Sequence, residues 1–191
     1  MSDRDLMLAF AADCDERKFV ELVRRWDERL LRFLARAAGD AEAAKDLRQD
    51  VLVRVYQYAA TFDGRSAFST WLFRIAINRL HTWRRSGQLR QERGFELEAS
   101  VPGNGSGRVR GPEEAALHDE VETAVRKELA LLDANEQELL LLRFQQGLSY
   151  REIGEIVNAP ETTVKSRVYS TLHRLREPLA CHRESMRSLE R

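Results

Sequence analysis

Apolar residues recur at intervals of three and four positions along most of the chain, which is the spacing of one face of an α-helix. Three such stripes come early in the chain, and the alternation typical of strands is not sustained anywhere. The stripes are Phe19, Leu22, Val23, Trp26, Leu30, Phe33 and Leu34; then Leu47, Val51, Leu52, Val55 and Tyr58 or Ala59; then Trp71, Leu72, Ile75, Ala76, Leu80 and Trp83. Turn-forming residues at Gly39-Asp40 and over 62–66 separate them. The pattern predicts a compact domain of three or four helices over residues 1–87.

A second helical stretch follows a segment that is rich in glycine and proline and has little apolar periodicity. Such a segment cannot bury enough apolar surface to order itself, so we expect a flexible linker over residues 88–112. Helical spacing then continues over 113–180, with Asp133 or Asn135 as the N-cap of an internal helix. Residues 181–191 form a C-terminal tail. The predicted fold class is therefore all-α, with two small helical domains joined by a linker.

The second domain contains the pattern of a helix-turn-helix motif. Ser149 can cap the first helix, and Glu152 three positions later completes a capping box. Gly154 is small where two helices approach closely, and residues 158–160 form a short turn. Thr162 or Thr163 can cap the second helix. The apolar residues Ile153, Ile156 and Val157 give the first helix its buried face.

In this motif the second helix enters the major groove of DNA by its N-terminal end. We predict that Val164, Val168 and Leu172 face inward. The polar positions offer hydroxyl and cationic groups that suit phosphates and base edges. The candidate DNA-binding residues here are Thr162, Thr163, Lys165, Ser166, Arg167, Tyr169 and Ser170. The alternative is an ordinary helical hairpin with a solvated polar face.

A second polar face lies opposite the third apolar stripe and contains no carboxylate, which suits a DNA backbone or exposed bases. Its residues are Arg74, Asn78, His81, Thr82 and Arg85, within a stretch from 68 to 91 that has five arginines and no acid. Upstream, a polar loop bracketed by Phe62 and Phe68 suits a base drawn out of the stack. Taken alone, a basic amphipathic helix is more often a solvated surface, and this alternative stays open.

Composition limits the remaining classes of function. The chain has 31 basic and 31 acidic residues, so any attraction to nucleic acid must come from local basic faces. An acidic N-terminus without an apolar run argues against a secretory signal, and no apolar run is long enough to span a membrane, so we expect a cytoplasmic protein. Cys14 and Cys181 are expected to be free thiols, and we predict neither a metal site nor a cofactor.

Together these motifs resemble the sigma-70 family of RNA polymerase sigma factors, specifically its small two-domain extracytoplasmic function group. The run from Asp46 to Asp50, by itself only a charged helix start, is similar to the family's motif that binds the clamp of the polymerase largest subunit. The run from Phe62 to Asn78 resembles the region that melts and reads the −10 element. The run from Leu148 to Arg167 resembles the region that reads the −35 element.

The resemblance implies the site residues and partners. Core-polymerase contacts fall on Asp46, Leu47, Gln49 and Asp50, and −10 contacts fall on Phe62, Arg65, Ser66, Phe68, Arg74, Asn78, His81, Thr82, Arg84 and Arg85. The implied partners are core RNA polymerase, through its clamp and flap, promoter DNA and an anti-sigma factor. Thr82 and Ser170 depart from residues that are common in the family, at positions that the resemblance implies help set promoter preference. The linker corresponds to a segment that in relatives threads toward the RNA exit channel.

Two other classes compete with this interpretation. A one-component regulator, with a sensor domain joined to a helix-turn-helix, explains residues 113–180 equally well. It does not explain the run from Asp46 to Asp50 or the arginine face. An enzyme is disfavoured because the sequence shows no nucleophile–base pair, phosphate loop or metal cluster.

Overall fold

A computed structural model describes residues 1–91, 125, 127–129 and 131–180, with the side chains of 88–91 excepted. All regular structure in these residues is helical. The helices are α1 (Asp3–Asp13), α2 (Glu16–Ala38), α3 (Ala41–Gln57), a 3-10 turn (Ala59–Thr61), α4 (Phe68–Gln91), α5 (Ala134–Leu140) with a π-helical turn (Leu141–Gln145), α6 (Tyr150–Val157) and α7 (Glu161–Arg176). The all-α prediction is confirmed. None of these helices is both long and apolar enough to cross a membrane.

The helix ends follow local rules that the sequence makes visible. Gly39 ends α2 in the left-handed conformation, with φ 71°, and Asp40 caps α3 by accepting hydrogen bonds from two backbone amides. The predicted break at this position is confirmed. Asp133 caps α5 and forms a capping box with Glu136, which decides between the two candidate caps.

Helices α1 to α4 form the N-terminal lobe around one core. Most of the first two stripes point inward as predicted, with Phe33, Leu30 and Val51 fully buried, although Phe19, Val23 and Leu52 are half-buried. The third stripe is partly wrong. The buried face of α4 includes Phe73 and Ile77, which the stripe omitted, and Trp71, Ile75 and Trp83 are only half-buried. Helix α4 has apolar residues on more than one side, and only packing decides which side faces the core.

Helix α4 continues to Gln91, past the predicted domain boundary at residue 87. The rest of the predicted linker and the tail over 181–191 lie outside the described residues. Helices α5 to α7 form the C-terminal lobe, whose core contains Leu142, Ile153 and Val168. The two lobes touch, since α6 packs against α4 and the π-helical turn approaches α2. This contact places α6, the first helix of the predicted helix-turn-helix, against α4.

Candidate nucleic-acid interface

The turn between α6 and α7 is built by a short backbone approach. Ser149 accepts a hydrogen bond from the amide of Glu152 and forms the predicted capping box. Asn158 ends α6 in the left-handed conformation, and a Cβ atom on Gly154 would lie 2.6 Å from the carbonyl oxygen of Ala159. The prediction that Gly154 permits a close approach is therefore confirmed. These contacts fix the angle at which α7 leaves the turn.

Two details of α7 differ from the prediction. Its N-cap is Pro160, without a side-chain hydrogen bond, so neither Thr162 nor Thr163 caps the helix. Leu172 is 36% exposed, and Thr171 takes the inward position instead. The Thr171 hydroxyl is satisfied there by the carbonyl of its own preceding turn, at 2.9 Å. The other inward positions are as predicted.

The outer face of α7 is polar, basic and open. Its exposed residues are Thr162, Lys165, Ser166, Arg167, Tyr169 and Ser170, while Thr163 is half-buried. Lys165 and Arg167 have no acidic partner within the part of the chain that the structure describes. Because these cations are not neutralised internally, the face can receive an anionic backbone.

The polar face of α4 forms a second basic surface. Arg74, Asn78, Thr82 and Arg85 are exposed on it, and the Thr82 hydroxyl donates to the Asn78 carbonyl at 2.8 Å. Neither exposed arginine has an acidic partner among the described side chains. This outer part of the face is therefore as free as that of α7.

The inner part of the same surface is occupied by the C-terminal lobe. Glu138 of α5 is only 1% exposed, and its Oε2 lies 2.8 Å from His81 Nε2. The other carboxylate oxygen of Glu138 accepts from Arg84, which also donates to the carbonyl of Ala37 at 2.6 Å. Two predicted −10 residues thus already hold a carboxylate. We call this group of Glu138, His81 and Arg84 the interlobe cluster.

Other polar contacts join the lobes beside this cluster. Arg29 donates to the side-chain oxygen of Gln146 at 2.8 Å and to its carbonyl at 2.7 Å. Thr70 donates to Glu152 at 3.4 Å. The hydrogen bond from Ser149 holds the pKa of the Glu152 carboxyl below its ordinary value despite partial burial, and the hydrogen bond from Thr70 makes a smaller contribution in the same direction. The capping box of the helix-turn-helix therefore also reaches the N-terminal lobe.

The loop before α4 corrects one expectation. Phe62 and Phe68 are each 4% exposed, and their rings pack on Trp71 and, for Phe68, on Trp26. Buried rings cannot stack on a base in this conformation, so they support the loop from below. Arg65 is exposed, with its guanidinium 3.3 Å from Asp63, and Ser66 is half-buried. Of the four predicted residues at this loop, Arg65 and Ser66 are therefore the two that reach the surface.

The predicted polymerase motif lies in the middle of α3, so the expectation of a helix start is wrong. Asp46, Gln49 and Asp50 are exposed, whereas Leu47 is 2% exposed and belongs to the core. Leu47 therefore orients the motif from within and does not reach a partner in this conformation. Asp50 forms an ion pair with Arg79 of α4, which ties the motif to the helix that carries the second basic face.

Sequence reasoning missed two features near these surfaces. An apolar patch with Val53 and Tyr56 exposed adjoins the motif on α3. A contact from α1 also reaches the loop before α4, where Arg4 Nε donates to the Gly64 carbonyl at 2.8 Å. The exposed patch could have been found from the outward apolar positions of α3. The contact from α1 has no local signal, because 60 positions separate its two residues.

The described residues offer no cluster that suits a metal ion, since no three His, Cys, Asp or Glu side chains group together there. Cys14 is an exposed free thiol, and Cys181 lies outside the described residues. The outer faces of α4 and α7 offer cations, an amide and hydroxyls, which are groups that bind a polyanion.

Comparisons with known proteins agree with this geometry. The family model described as Sigma-70 region 2 matches residues 22–90, and that described as Sigma-70, region 4 matches residues 129–177. RNA polymerase sigma-H factor of Pseudomonas aeruginosa is 33% identical over 81% of this chain and 82% of its own length. ECF RNA polymerase sigma factor SigW of Bacillus subtilis is 29% identical over 86% of this chain and 90% of its own length.

A solved structure has a similar fold. It is the sigma factor RpoE of Bartonella quintana in complex with the anti-sigma factor NepR, with a TM-score of 0.62 and 24% identity. The match covers 84% of this chain and 97% of that one. At this level of identity the likeness concerns the fold.

Proposed function

Because this chain belongs to the sigma-70 family, in its extracytoplasmic function group, we propose that it binds core RNA polymerase and directs it to promoters by their −10 and −35 elements. It acts in the cytoplasm and catalyses no reaction itself. The observation that carries the proposal is the pair of basic faces, on α4 and α7, each with exposed cations that no described acid neutralises.

The −35 element is assigned to α7. Its first turns present hydroxyls and Lys165 at the end that enters a major groove in this motif. Lys165 suits a guanine edge or a phosphate, and Thr162 and Ser166 suit phosphates or bases. The close turn at Gly154 supports this role because it holds α7 at a fixed angle to α6.

The −10 element is assigned to α4 and the loop before it. Arg74 and Arg85 neutralise phosphates, while Asn78 and Thr82 offer hydrogen bonds to an exposed base. Arg65 and Ser66 contribute from the loop, with Phe62 and Phe68 as buried supports. His81 and Arg84 join this face once they are released from Glu138.

Polymerase binding is assigned to the exposed acids and amide of α3, namely Asp46, Gln49 and Asp50. Leu47 contributes by packing in the core. The apolar patch beside these residues adds surface that a protein partner can cover. The flap of the polymerase and an anti-sigma factor complete the proposed set of partners, by analogy with the family.

The described arrangement fits a factor that reads promoters only within the polymerase. The interlobe cluster covers part of the −10 face, so the lobes separate before both faces meet one duplex. Two linked readers then gain affinity through effective concentration, provided that their geometry allows simultaneous contact. Free protein is therefore expected to bind promoter DNA poorly.

Runoff transcription with purified core polymerase on genomic fragments tests this function. We expect the chain to associate with core polymerase and to start transcripts at a shared pair of upstream elements. Asp46→Ala with Gln49→Ala should weaken association, while Arg17→Ala, a highly exposed cation near the start of α2, should not. A one-component regulator would bind its DNA without polymerase, and that result would contradict the proposal.

A further inference from the structure

Helix α1 lies before residues 22–90, which match the region 2 model, and the function proposed above gives it no role. We infer that Arg4 of α1 is a positioning residue that holds the loop over 62–67 in place for reading promoter bases. The inference rests on the proposed −10 role of that loop. It deepens this role by naming what fixes the loop's backbone.

Helix α1 is itself held in place by its packing in the N-terminal lobe. Leu6, Met7 and Phe10 are buried in the core of the N-terminal lobe. Its start is closed by a capping box between Ser2 and Asp5. A side chain projecting from α1 is therefore carried by an element that is itself fixed.

The same helix is also tied to α2. Asp3 accepts hydrogen bonds from Trp26 Nε1 at 2.9 Å and from Arg25 at 2.8 Å. The indole bond is part-buried, so solvent screens it less than an exposed contact. The first turn of α1, which contains Arg4, thus stands at a set position relative to the lobe.

Arg4 reaches the loop at the residue where its backbone turns. Its Nε donates to the carbonyl of Gly64 at 2.8 Å. Gly64 is buried with φ 70°, and a Cβ atom there would lie 3.0 Å from Arg4 Nε and 3.1 Å from Leu8 Cδ1. Only glycine fits both the dihedral angle and the space without strain. The Arg4 side chain of α1 therefore holds the loop by its backbone carbonyl at Gly64.

The remaining supports lie on either side of this contact. Phe62 and Phe68 pin the ends of the loop in the core, and Asp63 accepts from the backbone amide of Arg65 at 2.9 Å. Arg65 is exposed on the outside and pairs with the neighbouring Asp63. Loss of the Arg4 contact would let the middle of the loop shift between its pinned ends. Base discrimination by the loop would then suffer while phosphate contacts from α4 remain.

Reconstituted holoenzyme provides the test, with abortive transcription measured on a matched promoter and on variants substituted singly in the −10 element. We expect Arg4→Ala to lower the preference for the matched −10 bases by about fivefold, the range of one net hydrogen bond. Discrimination at the −35 element and association with core polymerase should not change. Arg4→Lys keeps the charge but not the planar Nε donor, so it should behave like Arg4→Ala.

Arg17→Ala is the matched control, since Arg17 is highly exposed and, within the described residues, pairs with Asp15 alone, two positions away. A uniform loss on all −10 variants, full activity of Arg4→Lys, or unchanged preference in Arg4→Ala would each overturn the inference. Asn78→Ala separates this failure from that of the proposed function. If Asn78→Ala relaxes −10 preference and Arg4→Ala does not, only the role of Arg4 is wrong. If neither does, the −10 assignment itself fails.

Discussion

The two helices that we propose to face DNA, α4 and α7, differ in how much of their surface is free. The outer face of α7 is open along its first turns, with cations that have no acidic partner among the described residues. Helix α4 is free only on its outer part, because Glu138 of the C-terminal lobe binds His81 and Arg84. The C-terminal lobe therefore carries one proposed DNA-binding face, on α7, and occupies part of the other, on α4.

The chemistry of this closure is specific. Glu138 is almost fully buried, and a buried carboxylate is tolerated only when it is paired and hydrogen-bonded. Its two oxygens meet two different side chains of α4, and Arg84 is itself held by a backbone carbonyl of α2. This carboxylate therefore joins the lobes beside the Arg29–Gln146 and Thr70–Glu152 contacts.

Removing the Glu138 carboxylate should have the largest effect on the difference between the free surfaces of α4 and α7. Glu138→Gln leaves the Arg84 guanidinium without its anionic partner, and breaking such a buried pair costs about 3 kcal/mol. We expect the lobes to separate. Energy transfer between dyes on Cys14 and on His173→Cys, in a Cys181→Ser background, should fall. Glu155→Gln on α6, an exposed carboxylate, is the control. Unchanged transfer in Glu138→Gln would show that the cluster does not hold the lobes together.

The turn that sets the direction of α7 should show the next largest effect of a substitution. Gly154→Ala would place a Cβ atom 2.6 Å from a backbone oxygen, so the turn must shift, at about 2 kcal/mol. In an unobstructed helix the same change stabilises by about 1 kcal/mol. The sign of the change in unfolding free energy, measured by urea denaturation, therefore decides whether the close approach exists. A more stable variant would contradict it.

The open face of α7 can be tested at its exposed lysine. We expect Lys165→Ala to weaken −35 recognition by about 1–3 kcal/mol if the ammonium contacts a base. Transcription from promoters varied singly in the −35 element measures the effect. Arg176→Ala, in the last turn of the same helix, should leave −35 discrimination intact. Equal losses on every −35 variant would assign Lys165 to a phosphate.

The smallest expected effect is on the stability of the fold at low pH. The Ser149 hydrogen bond lowers the pKa of Glu152 in the folded protein below its ordinary value of 4.5. The ionised carboxylate therefore stabilises the fold above that value, and this contribution is lost as the pH falls through the lowered pKa. We expect Glu152→Gln to be less stable than the parent by about 1 kcal/mol at pH 7. The difference should shrink in acid, as followed by urea unfolding at several pH values. A constant difference would mean that the charge is not involved.

Local features of the fold were predictable because their causes lie within a few residues. The caps at Asp40, Asp133 and Ser149 and the break at Gly39 each follow from a side chain or a dihedral preference that is visible in the sequence. The close approach at Gly154 belongs to the same class. Most of the exposed residues of α7 followed from helical periodicity alone.

Features that depend on distant partners were not predictable in this way. Glu138 looks like a surface acid in sequence, and its burial depends on α4, whose nearest contributing residue is 54 positions away. The exchange of Leu172 for Thr171 depends on how α7 meets its neighbours. Phe62 and Phe68 suggested a base pocket because aromatic residues in a loop suit one. In the structure their rings pack on each other and on Trp71 in the core. Tertiary packing decided all three cases.

The pairing of Glu138 with His81 and Arg84 also bears on how ionic strength acts on this protein. DNA binding gains free energy when cationic side chains displace the counterions condensed on phosphates. Two side chains on α4 are already bound to a protein anion, so a duplex exchanges one anion for another at that place. Salt titrations of the closed protein should therefore give a shallower slope than its count of basic groups on α4 suggests.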